Sequence, residues 1–229
     1  MWVLTKMEEL IVFGNGNISK ILSKYLEKKY QIIAYVSFKK FVKSKNFNGR
    51  PLIIAENIKK KFSPKNYKFI IAVGYLGMNS VRSKIYKFIR SKGYKFTNYI
   101  DESVYIPTGT KIGENNFLLE KVSINPECSL GNGNVIWSNS VISHNVKLNN
   151  FNWISSGSVI SGDTSIGNCN FFGSNSTISN NCKIGNNNFI GARTLISGKI
   201  LSNNTIIESK SKKLEIKSID YLNYLRNER

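Results

Sequence analysis

A register of six residues constrains this chain more than any other feature. Stepping from Ile100, the positions are Ile100, Ile106, Ile112, Leu118, Ile124, Leu130, Ile136, Ile142, Leu148, Ile154, Ile160, Ile166, Phe172, Ile178, Ile184, Ile190 and Ile196. All seventeen are large apolar side chains, although only 41% of the chain is hydrophobic. Glycine often follows directly, as at Gly113, Gly131, Gly167, Gly173, Gly185 and Gly191. Four positions on, the side chain is mostly small or polar, as at Thr110, Ser140, Ser158, Thr164 and Ser176. A period of six is neither helical nor the alternation of a half-buried strand. It fits short strands meeting at corners, each sending one large side chain into a narrow interior. Asn and Gly then serve the corners, where left-handed backbone is cheap for them. A β-sandwich does not keep one register over so long a span.

The pattern resembles the hexapeptide-repeat left-handed β-helix, in which three hexads close one coil. That resemblance implies an all-β left-handed parallel β-helix over residues 100–201, with five to six coils.

Residues 1–99 read differently. Glu9 to Phe13 is a buried strand, followed by the glycine-rich turn Gly14-Asn15-Gly16-Asn17-Ile18-Ser19 and a helix to about Lys28. Further strands are expected at Gln31–Val36, Pro51–Ala55 and Lys68–Val73, and an amphipathic helix at Asn79–Lys92, closed by Gly93. Strands alternating with helices predict a small parallel α/β sheet of Rossmann-like type. Its glycine turn places backbone N–H groups and a helix N-terminus where a phosphate can sit. Ser19 stands where a dinucleotide site has its third glycine, and Ser37 where it has a ribose-binding carboxylate. Both argue against an NAD enzyme and leave a single nucleotide or a purely structural turn. The expected organisation is a Rossmann-like α/β domain over 1–99, the β-helix over 100–201 and a tail over 202–229.

The formal charge is +19, and its location matters more than its size. Residues 1–99 carry 21 Lys/Arg against 4 Asp/Glu, whereas residues 100–201 carry 6 of each. The surplus is either solvated lysine on helix faces or an attraction to an anionic nucleotide or an acidic membrane surface. The basic residues are scattered and accompany no nucleic-acid-binding motif, so no nucleic-acid partner is expected. The three cysteines, Cys128, Cys169 and Cys182, have neither disulfide arithmetic nor zinc spacing. One histidine, His144, excludes sites needing two or three imidazoles, including the zinc site of a γ-class carbonic anhydrase. No stretch reaches membrane-spanning length, and Glu8 and Glu9 stand where a signal peptide needs an apolar run, so a cytoplasmic protein is expected.

Taken together, Phe13-Gly14-Asn15-Gly16, Phe69-Ile70-Ile71-Ala72-Val73-Gly74 with Arg82, Tyr99-Ile100-Asp101, and the hexads with Ser143-His144-Asn145 are similar to one family. It is that of the sialic-acid O-acetyltransferases and bacillosamine N-acetyltransferases. The resemblance spans about residues 8–200. It implies a homotrimer, a nucleotide-sugar held partly by Gly14, Asn15, Gly16, Asn17 and Gly74, and acetyl-CoA as co-substrate between neighbouring β-helices. Contacts to that donor are expected at Trp153, Gly162, Ser174 and Ala192, with no metal. It also implies that His144 is the catalytic base. A neutral imidazole suits removal of a proton from an amine or hydroxyl attacking a thioester.

Departures from the family pattern refine these expectations. Asn145 replaces the usual carboxylate after the histidine, and it can orient an imidazole but cannot stabilise imidazolium by charge. Glu127 lies eighteen residues before it and Asp163 eighteen after, so regular coils stack both on Asn145, with strands ~4.8 Å apart. Gly162 then stacks beside His144 and leaves it room. Trp153 stands near a second family histidine, either as an indole donor at the acyl pocket or as a buried structural residue. Asn17-Ile18 replaces the usual Gly-His of the glycine turn, and the usual Pro-Ala-Lys tail is missing. Ser218–Arg229 is expected to form a short helix across the open end of the β-helix. The expected activity is N-acetylation of a nucleotide-linked amino-deoxysugar for a surface polysaccharide. Acetylation of a sugar hydroxyl and a non-catalytic trimeric scaffold remain the alternatives, and association with a membrane surface stays open.

Overall fold

The protein is described here by a computed structural model covering residues 7–209, 215–218 and 220. The first unit runs β1 (Glu8–Phe13), α1 (Asn17–Leu26), β2 (Tyr30–Ser37), β3 (Asn46–Phe47), β4 (Arg50–Ile54), α2 (Ile58–Lys61), β5 (Lys68–Ile71), α3 (Ser80–Ser91) and β6 (Lys95–Phe96). Its sheet has the order β3-β4-β2-β1-β5-β6, parallel except for the β3–β4 pair. The expected strands and both long helices are present. The two-residue strands β3 and β6 and the single turn α2 are additions too short to carry a periodic signal.

β1 and β5 are buried on both sides, which is why they read as unbroken apolar runs. On one side Ile11, Phe13, Phe69 and Ile71 pack with Ile85 and Ile89 of α3. On the other, Leu10, Val12 and Ile70 pack with Leu22 and Leu26 of α1, and this layer continues into the second unit.

The second unit is a left-handed parallel β-helix. Two-residue strands recur every six residues from Lys111–Ile112 to Leu195–Ile196, and every coil pairs with the next in parallel register. All seventeen expected side chains lie in one core, with only Ile100, Ile106 and Ile112 of the first coil partly exposed. The corners explain the polar residues between them. Left-handed backbone recurs every six residues at Asn115, Lys121, Glu127, Gly133, Asn139, Asn145, Phe151, Gly157, Asp163, Cys169, Asn175, Asn181, Asn187 and Arg193. Asparagines at 98, 116, 134, 152, 170 and 188 form a ladder, each Oδ1 accepting the backbone N–H of the asparagine one coil on at 2.8–2.9 Å. The coil runs beyond residue 201 to a strand at Thr205–Ile206, the last among the described residues, after a shortened corner at Gly198.

Three outer faces result, and they differ. One carries Lys111, Ser129, Lys147, Ser165, Lys183 and Lys199. A second carries Ser123, Val141, Val159, Thr177 and Leu195. The third carries Tyr99, Phe117, Val135, Trp153, Phe171 and Phe189, and this aromatic face is where the α/β unit docks.

Arg82 of α3 joins the two units. It is fully buried; Nη1 donates to Asn79 Oδ1 at 2.9 Å, Nη2 donates to the Gly133 carbonyl, and the guanidinium lies 5.7 Å from the Trp153 ring centre. Burial lowers its pKa to about 9. Ile71 N–H donates to Asn115 Oδ1 at 2.8 Å, and Arg90 pairs with Glu114 at 3.2 Å. The proposed tail helix, Ser218–Arg229, lies almost entirely outside the described residues.

Candidate active site

Two places gather polar groups around open space. The first lies at the carboxyl ends of β1 and β5, where the strand order reverses and a parallel sheet opens a crevice. A cleft of about 500 Å³ there is lined by Gly14, Asn15, Gly16, Asn17, Val73, Gly74 and Tyr75, among others. Gly14 has φ +138, and a Cβ on it would lie 2.5 Å from the Ala72 carbonyl oxygen, so only glycine lets the two loops close up. Gly16 is different. A Cβ there meets no atom within 4 Å, so it borders open space just before α1. The first turn of α1 holds no acidic residue, and no side chain caps it, so its first N–H groups face the cleft unneutralised. Ser37 Oγ donates to Asn15 Oδ1 at 3.0 Å, and Asn15 Nδ2 donates to the Phe41 carbonyl at 2.8 Å. The five substrate positions expected from sequence therefore share one cleft. Tyr75 fixes its near wall to the β-helix, with its ring 5.2 Å from Trp153 and 4.6 Å from Phe171.

The second place is a corner of the β-helix. His144 follows the strand Val141–Ile142 and precedes Lys147–Leu148, which puts it at the corner opposite the aromatic face. Its side chain is 57% exposed. Backbone bonds hold the stack: Asn145 N–H donates to the Pro126 carbonyl and Asp163 N–H to the His144 carbonyl, both at 3.1 Å. Asn145 Nδ2 donates to Asp163 Oδ1 at 2.9 Å and lies 3.4 Å from His144 Nδ1. Asp163 Oδ2 lies 3.8 Å from the same imidazole nitrogen. Gly162 makes the site possible, because a Cβ there would sit 2.5 Å from both Cε1 and Nε2 of the ring.

The other expected site residues separate from this group. Glu127 turns its carboxylate toward Gly109, and no hydrogen bond or ion pair joins it to His144. Trp153 is 3% exposed on the aromatic face, against Tyr75, Trp137 and Arg82, so its indole packs the domain junction and stands away from the His144 corner. This corrects its expected place beside the acyl donor; the outer face it occupies is the covered one. Ser174 and Ala192 are exposed on a different corner of the same chain, between the aromatic face and the Val159 face. Sequence reasoning overlooked the aromatic outer row itself. Its signal was available, since Tyr99, Phe117, Trp153, Phe171 and Phe189 recur at multiples of one coil.

Comparison with known proteins bears on both places. The family described as the PglD N-terminal domain matches residues 9–89, and bacterial transferase hexapeptide repeats match residues 98–144 and 163–198. The two matches divide the chain as the fold does, a PglD-type N-terminal domain followed by hexapeptide transferase repeats. Among solved structures, the acetyltransferase domain of PglB from Neisseria gonorrhoeae is similar, with a TM-score of 0.77 and 22% identity, over 90% of this chain and 100% of that one. A perosamine N-acetyltransferase mutant from Caulobacter crescentus, in complex with CoA and GDP-perosamine, has a TM-score of 0.76 and 19% identity, covering 89% and 95%. WeeI from Acinetobacter baumannii has a TM-score of 0.76 and 15% identity, covering 90% and 99%. No curated protein sequence matches this chain. No helix among the described residues is long and apolar enough to cross a membrane.

Proposed function

We propose that the protein transfers an acetyl group from acetyl-CoA to the amino group of a nucleotide-linked amino sugar. The observation that carries this reading is the His144 corner: an exposed imidazole, a carboxylate 3.8 Å from its Nδ1, and a glycine that clears space beside Nε2. Asp163 and Asn145 would hold the ring with Nδ1 toward the carboxylate, leaving Nε2 to accept a proton. The amine nitrogen attacks the thioester carbonyl carbon, and the C–S bond breaks as the amide forms. The proton from the amine passes to His144 Nε2 and then to the departing thiolate, so no acyl-enzyme is required. The similar fold of a sugar N-acetyltransferase bound to CoA and a GDP-sugar supports the same pairing of ligands here.

The cleft at β1 and β5 is the proposed nucleotide-sugar site, with the diphosphate against the N-terminus of α1. In one chain this cleft lies on the aromatic side and His144 on the opposite corner. A homotrimer in which one chain's cleft faces a neighbour's His144 resolves that separation. The uncharged outer row Ser123, Val141, Val159, Thr177 and Leu195 is suited to such packing. Ser174, Ala192 and Gly162 would then line the acetyl-CoA channel from two chains.

A thiol-release assay with acetyl-CoA against UDP-, dTDP- and GDP-amino sugars tests the activity; release without any acceptor sugar, or none at all, overturns it. Co-expressing His144→Ala with Gly16→Trp tests the shared site, because mixed trimers should regain activity that neither variant has alone. Asp163 also supplies the charge that a hydroxyl acceptor demands of its base, which favours sugar O-acetylation as the second reading. Hydroxyl-only sugars in the same panel separate the two.

A further inference from the structure

The sheet sets a direction through the cleft. With phosphate at the start of α1, the end of β2 lies on the nucleoside side, and the β5 loop at Gly74 and Tyr75 lies on the β-helix side. The end of β2 is built unusually. Ser37 and Asn15 are spent on each other, and the Asn15 amide pins the carbonyl of Phe41, tying the short turn Lys39–Phe41 beside the glycine turn. This fixes Phe41 at the rim. Its ring is 52% exposed and stacks on no other aromatic ring of the described residues; the ammonium of the neighbouring Lys40 lies 4.9 Å from its centre. Phe41 and Asn15 also line a second cavity of about 400 Å³, together with Lys43, Ser44, Phe47 and Leu52. That cavity continues the cleft on the nucleoside side, between the Lys39–Phe41 turn and β4. Phe47 is held in place by an edge contact with Tyr35 at 5.0 Å, and Leu52 is buried.

We propose that this second cavity is the nucleobase pocket and that Phe41 is its stacking platform. The inference rests on the nucleotide-sugar reading of the cleft and adds what that reading leaves open, namely what holds the base. The Asn15 and Ser37 polar atoms are engaged with each other and with the Phe41 carbonyl. The base is therefore held chiefly through its face, a sequence-tolerant contact available to pyrimidines and purines. A half-exposed aromatic ring at the rim of a ligand cleft, with no other ring stacked on it, has this use, and the Lys40 ammonium over it suits an anionic nucleotide; a purely structural phenylalanine would be packed like Phe38, which meets Phe13 and Phe88 at 5.2 Å.

Calorimetric titration of the full chain with UDP, dTDP, GDP and inorganic pyrophosphate tests the proposal. Phe41→Ala is expected to weaken the tightest nucleoside diphosphate by roughly 5- to 150-fold, the range for losing one base–aromatic stack. Pyrophosphate affinity should stay constant and Phe41→Tyr should restore nucleotide binding, with the thermal midpoint of each variant recorded as a folding control. Equal nucleotide affinity for Phe41→Ala and the parent overturns the stacking proposal while leaving the cleft reading intact. Parallel losses for nucleotide and pyrophosphate also overturn it, by giving Phe41 only a structural role in its turn. A parent chain that binds no nucleoside diphosphate overturns the cleft reading itself. Weakened binding of Phe41→Ala to anionic vesicles, with nucleotide affinity unchanged, would replace the base pocket with a membrane contact.

Discussion

The two units of this chain bury apolar side chains by opposite rules. In the β-helix each hexad contributes one core residue that meets its neighbours one coil away, and polar corners repeat in register with it. In the α/β unit, β1 packs against α1 on one side and α3 on the other, so each core residue depends on elements far along the chain. The repeat unit is close to electroneutral and the α/β unit strongly basic. The difference underlies the proposed division of labour. Stacked corners place a few groups in fixed register, which suits chemistry, and a loop crevice above a parallel sheet admits a ligand, which suits binding.

The sharpest test of that division is His144→Ala. It should lower kcat by roughly 10²–10⁴, the range for losing a general base, while nucleotide affinity measured on the α/β unit stays put. A loss of nucleotide affinity instead would break the division.

Arg82→Ala tests the joint between the two units. Removing the guanidinium leaves the Asn79 Oδ1 and Gly133 carbonyl without their donor and opens a void beside Trp153. A destabilisation of about 2–4 kcal/mol is expected, from buried acceptors left unpaired at ~1–3 kcal/mol each. Calorimetry should then show the α/β unit melting ahead of the β-helix; a single unshifted transition would mean the junction contributes little.

Gly162→Ala probes the register of the chemical corner. Its methyl must displace the imidazole, and a misplacement of ~1 Å can cost up to about 10² in rate. kcat should fall while the thermal midpoint holds, because the collision is with an exposed ring and not with backbone. Full activity would show that the ring moves during turnover.

Asp163→Asn and Asn145→Ala divide the support of the proposed base. The carboxylate variant should be the more damaging, since only a carboxylate stabilises imidazolium by charge; the reverse order would make Asn145 the orienting group. The smallest expected effect is electrostatic. KM for the nucleotide-sugar should rise several-fold from low to physiological ionic strength as screening weakens the field of the basic unit. A salt-independent KM would leave the excess lysine a solvated surface.

Sequence alone determined the β-helix and most of the α/β order, because both rest on periodicity and turn chemistry that act locally. A single apolar side chain per hexad fits short strands meeting at corners, and the glycine-rich turn from Gly14 to Gly16 marks the crevice because it joins the first strand to the first helix. The coil arithmetic also brought Asp163 over Asn145 and Gly162 beside His144, since regular corners repeat every eighteen residues here. The same arithmetic misleads for Glu127, whose carboxylate points to Gly109: register fixes where a Cα stands, and side-chain torsions decide which way the carboxylate turns. Trp153 shows the larger limit. Nothing local distinguishes an outer aromatic that lines a ligand channel from one that lies under another domain. That choice belongs to the docking of the α/β unit, where Arg82, Tyr75 and the aromatic face exclude water together, and only the tertiary structure makes it.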